Sequence, residues 1–141
     1  MPGSHYNLGE ITPAGHVASV AATVLRDDDT SLAAAMKVMR AKSVQQAINA
    51  ATDYVAPAQN LTLVDRDTIA MKTIGALPRR DAQHQSQGRM PSPGWIAANR
   101  WDGMLPYTAN PEFIAPAGGI LGNTNNKTVD RPFPNHVSFV W

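Results

Sequence analysis

Asn60-Leu61-Thr62-Leu63-Val64-Asp65-Arg66-Asp67-Thr68-Ile69-Ala70-Met71-Lys72-Thr73-Ile74 is the stretch on which the architecture turns. Two apolar runs of strand length, 61–64 and 69–74, flank the polar turn 65–68, which is the pattern of an antiparallel hairpin. Their leucine, valine, isoleucine and threonine suit a pleated, half-buried surface.

Upstream of the hairpin, Ser43-Val44-Gln45-Gln46 is a capping box, with Gln three residues after Ser. It predicts a helix that buries Val44, Ala47, Ile48 and Ala51 and stops near Asp53-Tyr54, before Pro57. A helix over 31–41 precedes it. Leu32, Ala35, Met36 and Met39 fall on one face of that helix, with the methionines as core filler. Alanine-rich helices this short bury little area, so they depend on the surface they dock on. Arg26-Asp27-Asp28-Asp29-Thr30 is a solvated charged turn that favours the N-terminus of the next helix. It lacks the alternating ligands, glycine and distal glutamate of a calcium loop. Residues 15–25 are apolar or small on both faces, which predicts a strand buried on two sides and opened by an edge or packed His16.

The chain thus reads as one unit over 1–141, in three parts. Residues 1–13 are an irregular N-terminal segment. Residues 14–77 hold the strand, two helices and hairpin. Residues 78–141 form a loop-rich segment that ends in an Asn-Asn pair and a terminal strand. Eight of the eleven prolines and all three tryptophans lie in that last part, which predicts a structured wrapping loop carrying buried-type aromatics. Within it, Asn123, Asn125 and Asn126 follow the short apolar run Ile120-Leu121. Asparagine suits a turn, because it tolerates positive φ. A side-chain amide after a buried strand also suits an oxyanion hole. The residues alone favour the turn.

Composition narrows the function. The chain has 141 residues, 43% hydrophobic and only 16% charged, so part of its surface is expected to lie against something else. A net charge of +1 gives no reason to expect nucleic acid or an anionic membrane as partner. Without cysteine there is no disulfide scaffold, thiolate nucleophile or thiolate metal site. No apolar run has the length of a membrane span, and the N-terminus does not have the pattern of a signal peptide. Glu10 and Glu112 sit in no recognisable acid/base motif, the four histidines have no metal-ligand spacing, and no serine lies in a nucleophile elbow. The residues by themselves do not support catalysis.

An ordered set of motifs adds a resemblance. Pro57-Ala58-Gln59-Asn60, Val64-Asp65, Gly75-Ala76-Leu77-Pro78-Arg79-Arg80, Gly88, Pro91, Gly94, Trp101-Asp102-Gly103, Leu105-Pro106, Asn110-Pro111 and the run 119–126 follow one another as in the penicillin acylase family. The resemblance covers residues 15–141. It implies an N-terminal nucleophile hydrolase, an α+β fold in which this chain is a fragment of an αββα sandwich. In that family a β chain is released autocatalytically and begins with the catalytic serine, whose own α-amino group is the base. The match falls in the middle of the β chain, downstream of that serine. Neither Pro2 nor the internal Ser4 replaces it, and the arginine that follows the Asn-Asn motif in the family lies past Trp141.

The resemblance therefore implies a non-catalytic fragment. Its parent would hydrolyse a linear amide, a β-lactam side chain or an N-acyl-homoserine lactone, to a carboxylic acid and an amine. A stand-alone binding or structural module is the other reading left open. By carry-over, Asn125 donates its amide to the oxyanion, and Gln59 and Ala35 touch the acyl pocket, where a small residue at 35 leaves room for a long chain. Some members bind structural calcium, and the matching positions here are the carbonyl near Gly88 and the side chain of Asn135. A neutral amide stands at 135 where a member has aspartate, so no cofactor is expected in this chain, although the parent could hold calcium. The parent would be periplasmic or secreted.

Partners follow from the same reading: the remaining α and β chain segments of the parent or a second copy, plus a small amide substrate, with no nucleic acid or membrane. A hairpin taken from a layered sandwich exposes sheet edges and an apolar face. Association through 15–25 and 60–74 is expected. Native mass spectrometry should show a homomer or a heavier companion chain, and a lone 15.1 kDa monomer would contradict this.

Overall fold

The computed structural model describes residues 3–6 and 12–124. In chain order the elements are β1 (Gly3–Tyr6), β2 (Ala18–Ala21), α1 (Ser31–Val38), α2 (Val44–Ala50), β3 (Gln59–Val64), β4 (Ile69–Ile74), β5 (Pro78–Arg80), β6 (Trp101–Met104) and β7 (Glu112–Ile114). They form a mixed α/β fold with small antiparallel sheets, ordered β1-β2, β3-β4-β7 and β5-β6 among the described residues.

The hairpin forms as its sequence predicts, in a register that runs from Gln59↔Ile74 to Val64↔Ile69. Asp65 shapes its turn. The Asp65 N–H donates to the Thr68 carbonyl at 3.0 Å, and one carboxylate oxygen accepts from the N–H groups of Asp67 and Thr68 at 2.9 Å each. The other oxygen accepts from the N–H of Val44, the first residue of α2, at 2.8 Å. One carboxylate thus closes the hairpin and satisfies a free donor at a helix start. These bonds, that from Val44 first, hold the Asp65 pKa below the usual carboxylate range. The capping box forms too: Ser43 Oγ accepts from the Gln46 N–H at 3.2 Å, and Gln46 Oε1 reaches back to the N–H of Lys42 at 3.0 Å. Val44 and Ile48 then pack on Ala70 of β4, with Leu63 and Tyr107 around them. The four residues predicted for the buried face of α2 are all buried.

Helix α1 differs from its prediction in length and in face. It ends at Val38, and Ser31 and Ala34 are its buried residues. Leu32 and Met39 are 79% and 78% exposed and Met36 is also exposed, so the methionines are not core filler. The cause is close docking. α1 lies against α2 and a 3-10 turn at Ala51–Asp53, where small side chains allow near approach and Ser31 has polar partners to meet. The spacing of the large apolar residues identified an apolar stripe correctly but assigned it to the wrong side.

Three further expectations change. The strand over 15–25 shortens to β2, whose residues are mostly exposed, because a 3-10 turn at Thr23–Leu25 ends it and only β1 pairs with it among the described residues. β1 itself lies in the segment expected to be irregular. Trp95 does not behave as a buried aromatic. It is 69% exposed and meets the exposed His16 ring at 5.5 Å between centroids.

β4 is the central strand, and its residues from Ala70 to Ile74 are all buried, Lys72 among them. The Lys72 ammonium donates to the Asn110 carbonyl at 3.1 Å, lies 3.4 Å from a Glu112 carboxylate oxygen and sits 4.7 Å from the centre of the Tyr107 ring. Lys72 and Glu112 are direct partners in the β4–β7 register. A buried ammonium is tolerated only when paired and hydrogen-bonded, and here all its partners come from residues 107–112. Asn110 returns the contact: its Nδ2 donates to the carbonyls of Thr73 at 3.1 Å and Gly75 at 2.9 Å. Breaking such a buried pair of bonds costs about 2–3 kcal/mol.

Tyr107 joins this assembly to α2 by donating its hydroxyl to the Ile48 carbonyl at 2.9 Å. Burial, and secondarily the charge of Glu112, push its pKa up to about 12 from 10.0. A raised folded pKa means that the contribution of the protonated phenol is complete below the ordinary value and is lost as pH rises through the folded value. Spectrophotometric titration should therefore show a tyrosine ionising near pH 12 that Tyr107→Phe removes. In urea at neutral pH that variant should lose about 1 kcal/mol, and an unchanged midpoint would contradict the assignment.

Candidate functional site

Three of the motifs that carry the resemblance, at 57–60, 75–76 and 110–111, meet at one end of the β3-β4-β7 sheet. Gln59 opens β3 opposite Ile74 and is exposed. Beside it Asn60 pairs with Thr73 across the hairpin, its Oδ1 accepting the Thr73 hydroxyl at 2.7 Å. The N–H of Thr73 donates to the Pro111 carbonyl at 2.9 Å, while Asn110 holds the Thr73 and Gly75 carbonyls. Gly75 makes the corner possible. Its φ is +107°, and a Cβ there would lie 2.7 Å from the Ala58 Cα, where no side chain fits. The next residue, Ala76, donates its N–H to the Val55 carbonyl at 2.8 Å. The segment that leads into Gln59 is thus locked against the exit of β4.

Ala35 is half-buried on α1, whose packing partners are α2 and the Ala51–Asp53 turn rather than β3. Leu32 and Met39 lie one turn to either side of it, and with Met36 they make an exposed apolar stripe. Ser31 connects this helix to the Gln59 segment. Its Oγ accepts from the N–H groups of Val55 at 2.9 Å and Ala56 at 2.8 Å and donates to Asp29. The Ser31 bonds hold the Asp29 pKa below the usual range. Sequence reasoning did not single out Ser31; the Asp-Thr-Ser run before a helix was its only local trace. Asn125 and Asn135 lie outside the described residues.

Gly88, one of the two positions matched to calcium, is described and lies against Arg80. Its φ is +85°, and a Cβ there would stand 2.8 Å from an Arg80 guanidinium nitrogen. Among the described residues no three His, Asp or Glu side chains converge as a metal set. His84, close by, is buried, and its Nδ1 accepts from the N–H groups of Gln87 at 3.0 Å and Ser86 at 3.3 Å. The ring is therefore the tautomer protonated on Nε2, and burial together with the charge of Arg80 pushes its pKa down. Its acceptor nitrogen is taken by backbone, so it is not a base for either serine nearby. Ser86 Oγ is engaged with Ser92 and with the Met90 carbonyl. No nucleophile–base pair is assembled among the described residues.

Comparison with known proteins agrees with the motif order. The family model described as penicillin amidase matches residues 5–141. The acyl-homoserine lactone acylase QuiP of Pseudomonas fluorescens (strain Pf0-1) is 32% identical over 114 residues, which is 81% of this chain and 14% of that protein. QuiP of Pseudomonas syringae pv. syringae (strain B728a) is 30% identical over 131 residues, 92% of this chain and 16% of its own length. The penicillin G acylase of Escherichia coli is 36% identical over 70 residues, 48% of this chain and 8% of that protein. The match thus spans about one-seventh of these QuiP acylases and less of the penicillin acylase.

The corner at Gly75 tests the geometry directly. Gly75→Ala would combine a disfavoured φ with a backbone clash and should cost about 2–4 kcal/mol in denaturant unfolding. A cost below about 1 kcal/mol would show that β4 does not pass Ala58 as described.

Proposed function

Because the chain belongs to the penicillin amidase family, we propose that it forms part of an acylase that hydrolyses a linear amide, adding water across the C–N bond to release a carboxylic acid and an amine. The observation that carries this is the match over residues 5–141, joined by relatives named as acyl-homoserine lactone and penicillin acylases. In this reading the helices and the β3-β4-β7 sheet belong to an αββα sandwich completed by other chain segments. The nucleophilic serine and its α-amino base come from outside the matched stretch, and the parent acts in the periplasm or outside the cell. The matched stretch contributes no nucleophile of its own. It contributes a wall of the acyl pocket and, through Asn125, an amide donor for the oxyanion.

Two features support the division of roles. The sheet end at Gln59 is fixed by hydrogen bonds from three separate chain segments, as a site that holds a substrate in one pose requires. The stripe of Leu32, Met36 and Met39 around Ala35 is apolar and uncovered among the described residues, a surface suited to an acyl chain. The small side chain at 35 leaves width for a long aliphatic group, which favours lipid-like amides of the acyl-homoserine lactone type over aromatic acyl groups.

In the full-length enzyme, Asn125→Ala should lower kcat by about 10²–10³ with little change in KM, since the amide acts on charge present only in the transition state. An unchanged kcat would refute the role. On decanoyl and phenylacetyl amides of the same amine, the wild-type kcat/KM should favour decanoyl, and Ala35→Phe should reverse or erase that preference. A wild-type preference for phenylacetyl would remove Ala35 from the pocket.

A further inference from the structure

Arg80 closes β5 opposite Trp101, half-buried, with its guanidinium seated against the backbone of Gly88. Its Nε is fully enclosed and has no hydrogen-bond partner among the described residues. Both acids of residues 78–104 are engaged elsewhere. Asp102 is salt-bridged to Arg79 at 3.2 Å, and Asp81 accepts the N–H of Gln83 at 2.7 Å. His84, beside Arg80, has Nδ1 occupied by two backbone donors, so its remaining ring nitrogen is a donor and not an acceptor for the guanidinium. The corner therefore holds one enclosed donor on a fixed charge, and the nearest acid, Asp81, makes no hydrogen bond or ion pair to it among the described residues. Enclosing part of a charge without a partner is costly, and glycine at 88 leaves the room that the guanidinium occupies, since a Cβ there would lie 2.8 Å from one of its nitrogens.

We propose that Arg80, flanked by His84, receives a carboxylate. A single guanidinium offers one positive charge and a planar fork, which matches the charge and the two coplanar oxygens of a carboxylate better than a phosphate dianion. Burial alone lowers the Arg80 pKa, with no acid offsetting it, in keeping with a seat built for a counter-ion. The carboxylate has two sources: an Asp or Glu side chain of the acylase polypeptide outside these residues, or a free carboxylic acid such as the product of amide hydrolysis.

Thermal melting of the full-length protein separates these sources and tests the shared chemistry, with Arg80→Met compared with wild type in sodium acetate and in sodium chloride of equal ionic strength. If the polypeptide supplies the carboxylate, Arg80→Met melts below wild type, acetate moves neither protein, and the gap closes as pH falls through the carboxylate range. That sign follows because Arg80 would depress the pKa of its partner, so the stabilisation is complete above the ordinary value and is lost on protonation. Removing Arg80 also relaxes the His84 pKa that its charge lowers, so the comparison is repeated in an Asp81→Asn background, where the gap must still close in the carboxylate range. If a free acid is the ligand, acetate raises the melting temperature of wild type over chloride and leaves Arg80→Met unmoved. The proposal is overturned if Arg80→Met melts at or above wild type at every pH and acetate shifts neither, as removal of an unpaired charge would give. Should Arg80→Met not fold, Arg80→Lys takes its place, since it keeps the charge but loses the fork, and the same outcomes are read. None of these readouts uses amide hydrolysis, so a failure here is distinct from a failure of the acylase reading.

Discussion

The sheet depends on one buried ammonium. Lys72 occupies the middle of the central strand, where the flanking residues Met71 and Thr73 are also buried, and a bare charge there would be intolerable. Every group that answers it comes from the segment 107–112: the Asn110 carbonyl, the Glu112 carboxylate and the Tyr107 face. β7 has only three paired residues and could not hold itself to β4 by ladder bonds alone. The charge makes its docking compulsory, and Asn110 and Tyr107 spread the hold to Gly75 and α2. Glu112 remains partly open to water, so the pair is less a source of stability than a device that fixes which strand lies beside β4.

What is legible in the sequence follows from which forces are local. The hairpin, its four-residue turn, the capping box and the buried face of α2 are each specified by residues within one or two turns of chain, and all form as expected. The face of α1 is not legible, because burial there is decided by a distant partner. Ser31 meets Val55 and Ala56 some twenty-five residues away, and that contact turns the large apolar residues outward. Likewise Lys72 and Glu112 read as ordinary surface charges until the 38-residue gap between Lys72 and Asn110 is closed by the fold.

The candidate site divides in the same way. Gln59, Gly75 and Asn110 stand out in the sequence for their place in a motif order, and the fold gives that order a physical reason: Gln59 pairs with Ile74, and the Asn110 side-chain amide holds the carbonyls of Thr73 and Gly75 at the same sheet end. Arg80 and His84 stand in a scatter of polar residues with no pattern of their own. The significance of Arg80 lies in a donor without an acceptor among the described residues, which no spacing rule detects.

The contacts that hold the corner also differ in the length of chain they enclose. Asp65 reaches Val44 across 21 residues, while Lys72 reaches Asn110 across 38. Loop closure grows only logarithmically more expensive, about 0.6 kcal/mol for each doubling of length. The Pro/Gly-rich excursion between β4 and β7 is therefore held at its two ends by strong local bonds, and its own length hardly enters the balance. Insertions or deletions within it would leave the sheet register untouched, so this is the part of the chain most free to be remodelled around whatever docks beside it.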